Sequence, residues 1–251
     1  MPSKPRAHAP FGLAFDLPPP FRLVTLREVG DAFAHARTHA VELGAGTLVF
    51  VGRFDVAEFA VVLEPEEPLS SARLAFYAAM VALCDALAAL APPEKPIAIE
   101  WPDAIRIDGG LVGGGQLAWP DCTEECAVPD WLVFGAMIRT ASMSGAEAGL
   151  NPFATALDEE GFGEAGSDRV LEGFARHLMM AIDHMREGGG FSVIAKEYIS
   201  KLEPESGGRL QIEQNGDLVI RRNGKLVEHR ALLPRLKIPA WLDPETGAPR
   251  L

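Results

Sequence analysis

The chain has 251 residues, enough for one large domain or one domain with a small appendix, and 48% of them are apolar, as a self-contained core requires. Its formal charge of −12 excludes the basic face that nucleic-acid binding needs and argues against docking on anionic membranes. Three cysteines are too few for a disulfide framework and point to a reducing, cytoplasmic setting.

Residues 1–21 carry two early basic residues and repeated prolines but no continuous apolar stretch, so they read as an extended arm and not as a signal peptide. Leu26, Val29, Phe33, Ala36, Ala40 and Leu43 recur at three- and four-residue steps, which predicts a helix over Thr25–Leu43 stopped by Gly44. Thr47–Val51 and Glu58–Leu63 read as strands, the second ended by Pro65. Ser70–Leu90 reads as one helix with Ser70 as its N-cap. Its apolar run, Leu74–Cys84, is too short to span a bilayer and ends at Asp85.

Ile97–Pro120 is the centre of the chain. Ile97 and Ile99, then Ile105 and Ile107, alternate with polar or small residues, the pattern of strands with one buried face. Pro102 interrupts them at Trp101, and Asp108-Gly109-Gly110 signals a hairpin. Gly113-Gly114-Gly115 then stands where a strand continues, which marks either a bulge or a close approach to the backbone. Asp121–Asp130 is an acidic loop bearing Cys122 and Cys126; with no second Cys or His pair following, it does not read as a zinc site. His35 and His39 lie one turn apart but lack a third ligand, so no metal is assigned.

Trp131–Thr140 is an apolar strand, and Ser142–Gly166 reads as a long loop with a short helix. Ser167 is placed as the cap of a helix to about Arg186, and a second helix covers Phe191–Leu202. Beyond Pro204 the period becomes two. Asn215-Gly216 and Asn223-Gly224 join three alternating segments into a meander, followed by a proline-punctuated strap over Leu232–Leu251. The divisions are therefore an arm at 1–21, a main domain at 22–203 and a small β-rich domain at 204–251.

Trp101-Pro102-Asp103, the following hairpin, and Val112 and Gly114 resemble the central motif of the biotin protein ligase and lipoate–protein ligase family, K-W-P-N-D-(I/L)-x-(L/V)-x-x-x-K-(L/V)-(A/S)-G. The resemblance covers roughly residues 22–202. It implies an α+β fold, a mixed and largely antiparallel sheet flanked by helices, of the class II synthetase-like kind. It also implies ATP and biotin or lipoate as ligands, a small carboxylic acid activated as an adenylate, and transfer to a lysine of a carrier-protein domain. A homodimer is a further expected partner; nucleic acid and membrane are not expected, on the charge.

The departures fall on functional positions. Asp103 replaces the motif's Asn, Ala104 its Asp, and Leu111 its lysine, which would stabilise charge at the carboxylate–phosphate junction. Asp31-Ala32-Phe33 stands where the first helix of the family begins S-T-N. The family's G-R-G-R-x-G-R loop is reduced to Gly52 and Arg53 between Val51 and Phe59.

With Leu111 in the lysine's place, no catalytic residue is assigned. The ligand-contacting positions implied are Arg53, Trp101, Asp103, Gly113, Gly114 and Gly115. Each also has a plainer reading: Trp101 as packing, Arg53 as a solvated strand end, Asp103 as a turn cap, the glycines as a bulge. Arg106 lies opposite Ile105 and Ile107, so it serves as a substitute cation only if its face lines the cleft. The reading is a ligase-like protein that binds a small acid or its adenylate with weak or lost activity; the alternative is an active ligase.

Overall fold

The computed structural model describes residues 7–8, 14–142, 153–163, 165–186, 189–204 and 208–250. Of the long loop with a short helix expected over Ser142–Gly166, residues 143–152 and 164 lie outside the described residues. A two-residue pair, β1 (Ala7–His8) and β2 (Ala14–Phe15), opens the chain and delivers Phe15 to the core, edge-on to Phe50.

Seven strands form the main sheet: β3 (Arg22–Leu26), β4 (Thr47–Val51), β5 (Val56–Leu63), β6 (Ile97–Glu100), β7 (Ala104–Ile107), β8 (Gly110–Ala118) and β9 (Leu132–Arg139). Their order is β3-β4-β5-β9-β8-β7-β6, and only the β3–β4 pair is parallel. This is the expected α+β architecture, a mixed and largely antiparallel sheet flanked by helices.

The first helix starts later than the periodicity predicts. Val24 and Thr25 are β-branched and pair with Val49 and Phe50, which leaves α1 only Ala32–Leu43. Asp31 caps it, accepting a hydrogen bond from the Ala34 amide at 2.8 Å. Ala32, Ala36 and Ala40 form its buried stripe and let it lie close on β4 and β5. At Gly135 of β9 the Phe33 ring sits where a Cβ would come within 2.6 Å of it.

The expected helix Ser70–Leu90 is broken into α2 (Leu69–Ala72) and α3 (Ala75–Leu90) by a tightened turn, in which the Leu74, Phe76 and Tyr77 amides reach back three residues. Ser70 is not the cap. The Leu69 and Ser70 amides are satisfied by the Ala127 and Glu125 carbonyls of the acidic loop. Leu69–Leu90 is apolar and long enough to cross a bilayer by composition, yet it is mostly buried inside the fold.

Helices α3 and α4 (Ser167–Arg186) cover one face of the sheet, and α5 (Phe191–Lys201) packs beside them. Leu48, Phe50, Phe59, Val61, Phe134 and Ile138 point into this layer. Val49, Val51, Ala60, Val62 and Val133 point the other way, under α1. Burial on both faces explains why β4, β5 and β9 read as unbroken apolar runs. Ser167 does not cap α4; its hydroxyl donates to the Arg53 carbonyl and ties the helix to the β4–β5 turn.

The C-terminal meander is β10 (Arg209–Ile212), β11 (Leu218–Arg222) and β12 (Lys225–Arg230). Asn223 and Gly224 both have positive φ, as a two-residue hairpin turn of the primed kind requires. Ile212 and Leu218 join the main core cluster, so this layer shares the apolar core of the large sheet. The tail is not wholly irregular: α6 (Leu232–Lys237) forms with Pro234 in its first turn, where the missing amide costs no helical hydrogen bond.

Candidate functional site

The face of the sheet that carries α1 is only partly covered by helix. Beyond α1, β5, β9, β8 and β7 present Glu58, Met137, Leu111, Gly114, Gln116 and Ala104 on that side. A β-bulge decides which residues of the glycine run face it. Arg106 pairs with Leu111 and Ile105 with Gly113, so Val112 is the extra residue and turns into the core.

The three glycines are each approached by the protein itself. A Cβ at Gly113, whose φ is +147°, would lie 1.9 Å from the Met137 carbonyl oxygen. At Gly115 it would strike Phe134 and Met80 of the core. At Gly114 it would meet the Asp103 carbonyl oxygen at 2.1 Å and the Trp241 ring at 2.5 Å.

Leu111 is buried with Val56, Ala104, Met137 and Trp241 in an apolar cluster separate from the main core. Trp241 is 1% exposed, and its indole N–H donates to the Gly115 carbonyl at 3.0 Å. The adjoining Ala240 amide donates to the Asp103 carboxyl at 3.2 Å. Burial pushes the Asp103 carboxyl up to about 7, against the opposing pull of that amide. Trp101 is half-buried; its N–H lies 3.4 Å from the Tyr77 hydroxyl, which in turn donates to the Gly216 carbonyl. The Trp101–Pro102 peptide is cis, and Tyr198 donates to the Pro102 carbonyl at 2.7 Å.

Arg53 and Arg106, the two arginines that sequence order suggests, are both engaged. Arg53 holds Asp55 through two bonds, at 2.7 and 3.1 Å, and lies 3.8 Å from Glu58. The Asp55 partnership raises the Arg53 pKa and lowers that of Asp55. Glu58 is buried and accepts from the Ala32 amide at 2.9 Å, so a carboxyl group of the chain sits at the start of α1; burial raises its pKa. Arg106 does lie on the cleft side of β7, but its guanidinium is turned to Glu100 at 2.7 Å and to the Gly109 carbonyl.

Two residues of this site carry no sequence signal. Trp241 lies 126 positions from the glycine whose carbonyl it binds. Arg139 closes the apolar strand β9 on the cleft side, two residues after Met137. It donates to the Thr155, Pro249 and Arg250 carbonyls, and burial lowers its pKa. Thr155 in turn donates its amide to the Leu111 carbonyl, which links Arg139 to Leu111 through one residue.

Two cavities flank the strap. One of about 500 Å³ is lined by Phe33 and Arg37 of α1, Gln116 and Trp119, and Lys237 and Pro239. The other, about 300 Å³, is lined by Trp101, Asp103, Ala104, Arg235 and Ala240 among others. Cys122 and Cys126 are exposed, and among the described residues no three His, Cys, Asp or Glu side chains come together as metal ligands.

Residues 17–200 match the model of the biotin/lipoate A/B protein ligase family. No curated protein matches the chain. Among solved structures, a biotin protein ligase-like protein of unknown function from Silicibacter sp. TM1040 is 28% identical, with a TM-score of 0.72 over 88% of this chain and 98% of that one. The apo biotin protein ligase of Aquifex aeolicus is 17% identical, with a TM-score of 0.64 over 84% of this chain and 100% of that one. The Leishmania major biotin protein ligase in complex with biotinyl-5-AMP is 15% identical, with a TM-score of 0.53 over 86% and 99%. The two ligases share the fold with this chain. With nearly the whole main sheet and its helices inside the matched segment, the chain belongs to the biotin/lipoate A/B protein ligase family.

Proposed function

We propose that the chain binds a small carboxylic acid on the cleft face and does not activate it as an adenylate. The observation that carries this reading is Leu111. Where the family motif has a lysine, this side chain is packed among Val56, Ala104, Met137 and Trp241. An acyl-adenylate forms as the carboxylate attacks phosphorus, and negative charge builds between them. A preorganised cation there is worth about 10²–10³ in rate. Arg53 and Arg106 are held by carboxylates, and the shortened turn after Val51 offers no run of glycine amides to a phosphate.

Binding without activation asks less of the site. The cavity of about 500 Å³ has an apolar wall, at Phe33 and Trp119, and on its lining the cations Arg37, which lies over the Phe33 ring, and Lys237, beside the carboxylates Asp121 and Glu125. An acid of the size of biotin or lipoate places its chain against the wall and its carboxylate on one of them. A charge-assisted hydrogen bond contributes about 1.5–3 kcal/mol. Calorimetric titration with biotin and with lipoate tests this. At least one of the two is expected to bind, and Arg37→Ala with Lys237→Ala to weaken it about tenfold or more. Binding unchanged in that double variant would remove the cavity from the account.

A further inference from the structure

The cavity of about 500 Å³ is lined by charges of both signs. Arg37 comes from α1 and Lys237 from the end of α6, while Asp121 and Glu125 come from the acidic loop between β8 and β9. None of the four stands at a tryptophan–proline, lysine or glycine position of the family motif, and Lys237 lies beyond the segment that matches the family.

Glu125 is neutralised from within. Its carboxylate pairs with the buried Arg73, and its carbonyl accepts from the Ser70 amide. The Ala127 carbonyl accepts from Leu69 in the same way, and the Thr123 amide closes a turn onto the Pro120 carbonyl at 3.0 Å. The loop is thereby pinned to α2, with Asp121 inside its first turn. Asp121 itself has no cation. Among the described residues Asp121, Arg37 and Lys237 make no ion pair, with one another or with any other group; Arg37 lies over the Phe33 ring at 5.5 Å. An exposed charge needs no partner in water. Opposite charges that line one cavity without meeting, however, leave between them a space that a ligand carrying both signs fills.

The balance of charge decides the ligand class. A simple carboxylate on Lys237 or Arg37 also faces Asp121, and that repulsion offsets part of its gain. A simple amine on Asp121 faces two cations. A zwitterion answers both signs, with its apolar part against Phe33 and Trp119. We propose that the acid bound in this cavity is a free amino acid with an aromatic or large apolar side chain, its carboxylate held by Lys237 and Arg37 and its ammonium by Asp121. This deepens the acid-binding reading and rests on it.

Calorimetric titration of the full chain at about pH 7 tests it with three probes that share one body: L-phenylalanine, 3-phenylpropionate, which lacks the ammonium, and phenethylamine, which lacks the carboxylate. L-Phenylalanine is expected to bind at least about fivefold more tightly than either. Asp121→Asn is expected to remove its advantage over 3-phenylpropionate, whose own binding stays the same or tightens. Lys237→Gln is expected to weaken both carboxylates and not phenethylamine. Asp121 and Lys237 are exposed, so neither substitution disturbs the core.

L-Phenylalanine that binds no more tightly than 3-phenylpropionate, that keeps its advantage in Asp121→Asn, or that does not bind up to its solubility overturns the inference. If biotin or lipoate still binds, the inference falls alone; if they fail as well, the acid-binding reading falls with it. Asp121-dependent binding of L-phenylalanine by a chain that binds neither biotin nor lipoate would support the inference and remove those two acids from the reading.

Discussion

The two faces of the sheet are built on different terms. On the α3/α4 face, one continuous apolar layer runs from Phe15 to the meander, with Phe134 stacked on Phe174 at 5.6 Å and Phe59 tilted on the same ring. On the other face the cover is discontinuous: α1 over β4 and β5, the strap over β8 and β9, and cavities beside the strap. Each departure from the family's ligand positions lies on this second face or at its rim. The first face carries the fold and tolerates little change. On the second, Leu111 is packed by Trp241 and its neighbours, and Arg53 and Arg106 are paired with carboxylates.

The sharpest way to break this contrast is to delete one large aromatic ring from each face. Phe134→Ala is expected to cost about 3–5 kcal/mol, because the surrounding rings are fixed by one another and the cavity cannot collapse. Trp241→Ala removes a larger ring but is expected to cost less, about 1–3 kcal/mol, because the strap can settle and water can enter from the neighbouring cavities. Urea unfolding of both variants gives the comparison. Equal losses would mean that the strap is core in all but position.

A smaller effect sharpens the same contrast through pH. Asp103 is ionised in the unfolded chain above about pH 4, whereas burial holds it protonated in the fold until about pH 7. The folded state therefore binds the extra proton across this window, and stability falls as pH rises through it. Asp103→Asn keeps an oxygen to accept from the Ala240 amide and removes the ionisation. Its stability relative to the natural chain is expected to improve by on the order of 2 kcal/mol between pH 4 and pH 8. A difference that does not change with pH would show that Asp103 is hydrated in the fold, with the strap standing open over it.

Much of the first face was legible in the sequence because its signals are local. Ile105 and Ile107 alternate with Arg106, Asp108 and Gly109 take the positive φ of a hairpin, and both sit where the pattern puts them. The error at α1 has a physical origin. Val29 fits the helical period, yet it is 96% exposed in the turn between β3 and α1, since Arg22–Leu26 gains more from pairing with β4 than from helix.

The second face was legible only at its positions, not in its occupants. Leu111 and the shortened β4–β5 turn are visible as departures from a motif. Nothing local ties Trp241 to Gly115 or Pro249 to Arg139, because those contacts join residues more than a hundred positions apart. The glycine run was read as a bulge or a close approach: the bulge falls on Val112, just before the run, and the run itself is closely approached, Gly114 by Trp241.

The central claim, that this cleft does not form an acyl-adenylate, is tested most directly by ATP–pyrophosphate exchange with biotin and with lipoate, on the natural chain and on Leu111→Lys. No exchange above background is expected for the natural chain. None is expected for Leu111→Lys either, because the lysine alone restores neither the glycine–arginine loop nor the space that Trp241 fills. Exchange by the natural chain at ordinary ligase rates would contradict the account, and rescue by Leu111→Lys alone would show that the missing cation was the whole deficit.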